Sequence, residues 1–186
     1  SSSVGVYAAN LPVQALQALG PSSITNNANS VARITSIGTS GGIALTDNPT
    51  AIAQLSQDIG TAATVGFGGK TLTAPSVQIA SGAASLTLGS APGDGTLTSS
   101  DSAGDVVLAN ANAAGAAALT VNAAIANNGA TAVHIDKLGA GDVVLAGPVS
   151  HTGGTSIDAG ALTLDVASGV VRDFPSGVIS GNGGLT

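Results

Sequence analysis

The sequence predicts an all-β chain: a β-solenoid of stacked coils, preceded by a less regular N-terminal cap containing one or two short helices. Three observations carry this expectation. Short apolar runs alternate with Gly-rich corners from about residue 62 onward, the segment AGDVVLA fills residues 103–109 and again 140–146, and the side chains available for a core are small. An internal echo points to units that bury their apolar faces only against their neighbours. Trp, Cys and Met are absent, and the only aromatic residues are Tyr7, Phe67 and Phe174. A compact globule fills its centre with large side chains at crystal-like density, whereas a coil only a few side chains wide is filled by Ala, Val, Ile and Leu.

Residues 1–61 read as an N-terminal cap or assembly region and 62–186 as the solenoid. Pro12 to Leu19 places Val13, Leu16 and Leu19 at a spacing near three, with Gly20 and Pro21 as a stop, which predicts a short helix. Pro49 to Ile59 predicts a second: Asn48 can cap it, Pro49 suits the first turn, Ile52, Leu55 and Ile59 share a face, and Gly60 ends it. Helices this short need tertiary support, which packing over the first coil supplies.

Beyond residue 62 strands are expected near Ala63–Phe67, Val77–Ala80, Ser85–Leu88, Asp105–Ala109, Ala118–Val121, Ala132–Ile135, Asp142–Leu145, Thr155–Ile157 and Ala161–Val166. Corners lie between them at Gly68-Gly69, Pro92-Gly93-Asp94-Gly95, Asn127-Asn128-Gly129, Gly153-Gly154 and Ser168-Gly169, where glycine accepts positive φ. The 37-residue offset between the two AGDVVLA copies reads as two rungs of roughly twenty residues each.

Charge is sparse. Arg33, Lys70, Lys137 and Arg172 face ten carboxylates, all Asp, for a net charge of −6. Asp favours turns whereas Glu favours helix surfaces, so this usage also predicts corners and loops. The balance argues against nucleic acid or an anionic membrane surface as partner, since both require clustered Lys and Arg. No uninterrupted apolar run is long enough for a membrane helix; the nearest, Ala111 to Ala126, is broken by Asn112, Thr120 and Asn122. The opening SSSVGVYAANLPVQ lacks the basic-then-apolar order of a signal peptide and reads as a mature or trimmed terminus. The closing SGNGGLT reads as the start of another repeat, so that either the natural chain continues or its last strand lies open. The absence of Cys fits an export route.

Residues 137–186 resemble the passenger-associated repeat of bacterial autotransporters, approximately Lys-x-Gly-x-Gly-Thr-Leu-x-Leu followed by Tyr-Thr-Gly-Gly-Thr-x-Ile-x-x-Gly-x-Leu. Lys137, Gly139, Gly141, Val143 and Leu145 match the first part, and Thr152, Gly153, Gly154, Thr155, Ile157, Gly160 and Leu162 the second. His151 stands where Tyr is common and Asp142 replaces a Thr; residues 62–136 share only the rhythm, and residues 1–60 do not show the motif. The resemblance implies a right-handed parallel β-helix on the outside of a bacterial cell, often fused to a C-terminal membrane barrel, with the repeat as spacer and folding module. It carries no catalytic residue to transfer.

His134 and Asp136 in the strand-like VHID point to one face and form a candidate acid–base pair, though no Ser lies in a nucleophile elbow and an exposed, solvated pair is the plainer reading. Asp94, Asp101 and Asp105 are a candidate carboxylate cluster of the kind a polysaccharide-cleaving β-helix uses; their setting, PGDGTLTSSDSAGD, reads first as a turn-rich loop. Gly139-Ala140-Gly141-Asp142 approaches a calcium-binding β-roll corner but lacks one residue of spacing and tandem copies. Zinc spacing and a phosphate loop are absent. No catalytic, cofactor or metal residue is therefore assigned, and no enzyme activity is expected. The expected role is an extracellular bacterial structural protein, a solenoid subunit or segment of a surface fibre, layer or matrix. Its expected partners are other copies of itself through exposed rungs and cell-surface or matrix polymers, with a passenger segment acting as adhesin or spacer as the alternative and a polysaccharide-active β-helix enzyme as the second alternative.

Overall fold

The structure is a computed structural model that describes residues 16–19, 23–24, 26–37, 42–165 and 179–186. Among the described residues the chain is all-β, without helix, and winds as a β-solenoid of about six turns. It enters on β1 (Leu16–Leu19), β2 (Ser23–Ile24), β3 (Asn27–Ile34), β4 (Gly42–Leu45) and β5 (Thr50–Gln57). Three turns of three strands each follow: β6 (Ala63–Gly66), β7 (Thr71–Thr73) and β8 (Ser76–Ile79); β9 (Leu86–Leu88), β10 (Thr96–Thr98) and β11 (Asp105–Asn110); β12 (Leu119–Val121), β13 (Ala124–Ile125) and β14 (His134–Leu138). The coil closes with β15 (Val143–Leu145), β16 (Gly154–Ile157), β17 (Ala161–Leu164), β18 (Ile179–Gly181) and β19 (Gly184–Leu185).

Every ladder between these strands is parallel, and the strands sort onto three faces. Face A stacks β1, β3, β5, β8, β11, β14, β16 and β18; face B stacks β2, β4, β6, β9, β12, β15, β17 and β19; face C stacks the first residues of β5 with β7, β10 and β13. An isolated bridge from Ile125 to Val149 carries face C one rung further. Pairing crosses residue 61 without interruption, since β4 pairs with β6, and β5 with both β7 and β8.

The core follows from alternation along each strand. On face B the partners Ala63, Leu86, Leu119, Val143 and Leu162 form one inward column, and all are buried. Leu55, Val77, Leu108, Lys137 and Ile157 form the corresponding column on face A, and Leu72, Leu97 and Ile125 that on face C. Each buried Leu, Ile or Val contributes about 1.5–3 kcal/mol relative to exposure. Small aliphatic residues suffice because three short faces leave little space between them; Phe67 is the one aromatic among the largest fully buried side chains. Outward on face B runs a column of Thr64, Thr87, Thr120, Val144 and Thr163.

Four expectations are corrected. The helix expected from Pro49 to Ile59 is strand β5. Its first residues pair on face C and its last on face A, so the chain turns a corner between them. That corner lets Ile52 and Leu55, three apart, both reach the core at 0 % exposure, which imitates a helical period. Of the helix expected from Pro12 to Leu19, Leu16–Leu19 is strand β1, in register with Val31 to Ile34, and residues 12–15 lie outside the described residues. The 37-residue offset between the AGDVVLA copies is not two rungs of about twenty residues: the first copy supplies β11 on face A and the second β15 on face B, and the face B partners Leu86, Leu119 and Val143 stand 33 and 24 positions apart. Both copies turn their first Val and their Leu inward, so the echo marks a shared strand pattern. The expected strand Ala132–Ile135 is displaced to His134–Leu138; the other expected strands past residue 62 are present to within a residue or two.

Candidate functional site

Polar side chains with chemical potential gather outside face A, where β11, β14, β16 and β18 lie side by side. Alternation turns Val106, Ile135 and Thr155 inward, so Asp105, His134, Asp136 and Ser156 face out. Register places Asp105 beside His134, and aligns Asp136, Ser156 and Ser180. Asp158 joins the patch by accepting from Ser156 Oγ at 3.1 Å. His134, Ile135, Asp136, Gly154, Thr155, Ser156 and Ser180 line a shallow depression of ≈ 120 Å³, smaller than the roughly 300–1,000 Å³ of small-molecule pockets.

Burial, with Asp105 and Asp158 as like-charged neighbours, raises the Asp136 carboxyl above its ordinary range, while His134 pulls it back. Beneath the patch, His151 is 2 % exposed, with Nε2 3.2 Å from Thr155 Oγ1. Burial pushes its imidazole below the usual His range and His134 adds to this, against a backbone bond to Gly154. His134 and Asp136 share the outer face as the sequence predicted, but no hydrogen bond joins them. Ser156 Oγ, in register beside Asp136, donates to Asp158 and not to an imidazole. Nucleophilic catalysis needs a base within hydrogen-bond reach of the nucleophile; among the described residues no hydroxyl bonds His134, and the imidazole–hydroxyl contact of His151 with Thr155 is buried.

Asp94, Asp101 and Asp105 do not converge. Asp94 locks the corner between faces B and C: its carboxylate accepts from the backbone N–H of Ser90 at 2.7 Å and of Phe67 and Gly69, each at 3.1 Å. These bonds, Ser90 first, hold it below the usual carboxylate range against the opposing effect of burial. Asp101 closes the next corner, accepting from Gly104 N at 2.6 Å, Asp105 N at 3.0 Å and Ser99 Oγ at 3.1 Å. Only Asp105 reaches the face A patch. Asp142 accepts from Gly115 N at 2.8 Å. Among the described residues, no three His, Cys, Asp or Glu side chains are placed to hold a metal ion.

Lys137 was not foreseen as an interior residue. It occupies an inward position on β14, fully buried, and its Nζ donates to the carbonyls of Gly139 at 2.6 Å, Ala159 at 2.8 Å and Leu138 at 3.2 Å. Burial pulls its ammonium down to about 8, with Asp142 acting in the opposite direction. Lys70 works in the same manner, donating from Nζ to the Leu45 carbonyl of the preceding turn at 2.7 Å. The remaining described cation, Arg33, pairs with Asp58.

The glycines of the same motif serve close stacking. A Cβ on Gly139 would lie 2.2 Å from Asn110 O, on Gly141 2.4 Å from Asn110 Cγ, on Gly153 2.3 Å from Val133 O and on Gly160 2.6 Å from Ala140 O. Lys137 and these glycines therefore fix how one turn seats on the last. No family model, curated protein or solved structure matches the chain.

Proposed function

We propose that this chain is an extracellular bacterial structural protein, a β-solenoid subunit or segment of a surface fibre, surface layer or matrix that associates with further copies of itself through exposed rungs. The observation that carries this reading is the last described rung. Ile179 and Leu185 prolong inward columns, pairing with Thr155 and Leu162, yet they are 39 % and 43 % exposed. The rung from Ile179 to Thr186 bears no charge, so a coil of a second copy meets no repulsion there. A further coil laid on it would cover both side chains and continue both ladders. Right-handed winding belongs to the same reading, as the hand that parallel crossovers take in nearly all sheets.

A passenger segment acting as adhesin or spacer is the second reading. It is favoured by the way the repeat-like residues at Lys137, Gly139, Gly141, Gly153 and Gly160 serve the stacking of turns. Sedimentation velocity over a wide concentration range tests self-association. The expected result is a concentration-dependent series of species for the native sequence, with the Ile179→Lys, Leu185→Lys double variant remaining a folded monomer. A native chain that stays monomeric at every concentration, salt and pH would refute association.

A further inference from the structure

We infer that Asn128 is a site of spontaneous covalent modification, converted to aspartate and isoaspartate through a cyclic imide, and that the fold protects the chain's other Asn-Gly pair. Two such pairs occur, Asn128-Gly129 and Asn182-Gly183, and both asparagines are exposed. They differ in the glycine amide, which is the nucleophile of the reaction. Gly183 N donates to Ile157 O at 2.7 Å, and a Cβ on Gly183 would sit 2.2 Å from Ile157 Cγ2; this amide is held in the stack of turns. Gly129 projects from the corner between faces C and A with φ +59° and nothing within 4 Å of a Cβ position. Its N–H makes no hydrogen bond, because the turn is closed by Asn128 and Thr131 bonding to each other, N to O, at 3.1 and 3.0 Å. The amide is free, and there is room for a five-membered ring.

In the reaction Gly129 N attacks Asn128 Cγ, the new C–N bond forms, the Gly129 amide proton is lost and the side-chain nitrogen leaves as ammonia. Water then opens the imide at either carbonyl, giving aspartate or isoaspartate with no change of oxidation state. The consequence is structural. Asn128 Nδ2 donates to Ser99 O at 2.8 Å and so ties two successive corners together; the product is a carboxylate, which cannot donate and carries a new negative charge near Asp101 and Asp105.

The test is timed incubation of the purified full chain at mildly alkaline pH, followed by peptide mapping with mass spectrometry and enzymatic isoaspartate detection. Conversion is expected at least about fivefold faster at Asn128 than at Asn182, the factor that one net backbone hydrogen bond is worth. Gly129→Ala is expected to suppress it, and Asn128→Asp to lower the melting temperature as the aged sample does. Equal rates at the two sites, or faster conversion at Asn182, would overturn the inference. Folding of the Gly129→Ala variant is not a condition of the test, because both sites are compared within one native chain.

Discussion

Gly139→Ala is expected to lower the denaturation midpoint sharply. Gly139 has φ +80°, and a Cβ there would lie 2.2 Å from Asn110 O and 2.8 Å from Asn110 C. The atoms in the way are backbone of the preceding turn, so relief requires the two turns to separate and their parallel bonds to lengthen. Left-handed backbone costs an L-residue about 1–2 kcal/mol, and overpacking adds about 1–3 kcal/mol, for a total near 3 kcal/mol. Gly68→Ala is the matched control: φ is +58°, but nothing lies within 4 Å, so only the backbone share, about 1 kcal/mol, is expected. Urea titration followed by far-ultraviolet circular dichroism separates the two. Similar midpoints for both variants would mean that the turns do not seat on one another at Asn110.

Lys137→Met is expected to destabilise the chain by about 2 kcal/mol near neutral pH, because the carbonyls of Leu138, Gly139 and Ala159 lose their shared donor. The thioether keeps the length of the aliphatic stem, so little packing is lost. The gap should widen with alkalinity. The buried Lys137 titrates at about 8 against 10.5 for the free side chain; above about 8 the folded state has released the proton while the unfolded state still holds it. Stability rises with pH wherever the unfolded state binds more protons, so the native chain gains up to about 3 kcal/mol between those two values, and the variant does not. Paired urea titrations at steps from pH 7 to 10.5 measure the difference directly. A constant gap would place the Lys137 amine in solvent.

The residues that revealed the coil and those that hid it differ in physical terms. Face B was readable because each turn brings a strand such as LTL or VVL between glycine corners, with two inward aliphatic residues and one outward residue. Face C went unread because β7, β10 and β13 span two or three residues each and place a single aliphatic side chain inside, too short for any period to register. Strand β5 was misread because it bends between two faces, giving buried positions a spacing of three. Lys137 was hidden by the general rule that lysine lies outside. A signal was present, since it heads the glycine motif whose corner carbonyls it binds. On the outer surface, alternation correctly placed His134 and Asp136 together, whereas the grouping of Asp94, Asp101 and Asp105 failed because nearness in sequence crosses two corners of the coil.

The most direct measurement uses the absence of native cysteine. Thr87 and Thr120, 33 positions apart, are partners in register on face B, and Thr120 pairs onward with Val144. Neighbouring strands lie about 4.8 Å apart, within the Cα separation a disulfide spans, whereas two rungs, about 9.6 Å, exceed it. Mild oxidation should therefore close a disulfide in the Thr87→Cys, Thr120→Cys variant and leave Thr87→Cys, Val144→Cys reduced. A bond in the second variant, or in neither, would contradict parallel turns stacked in this register.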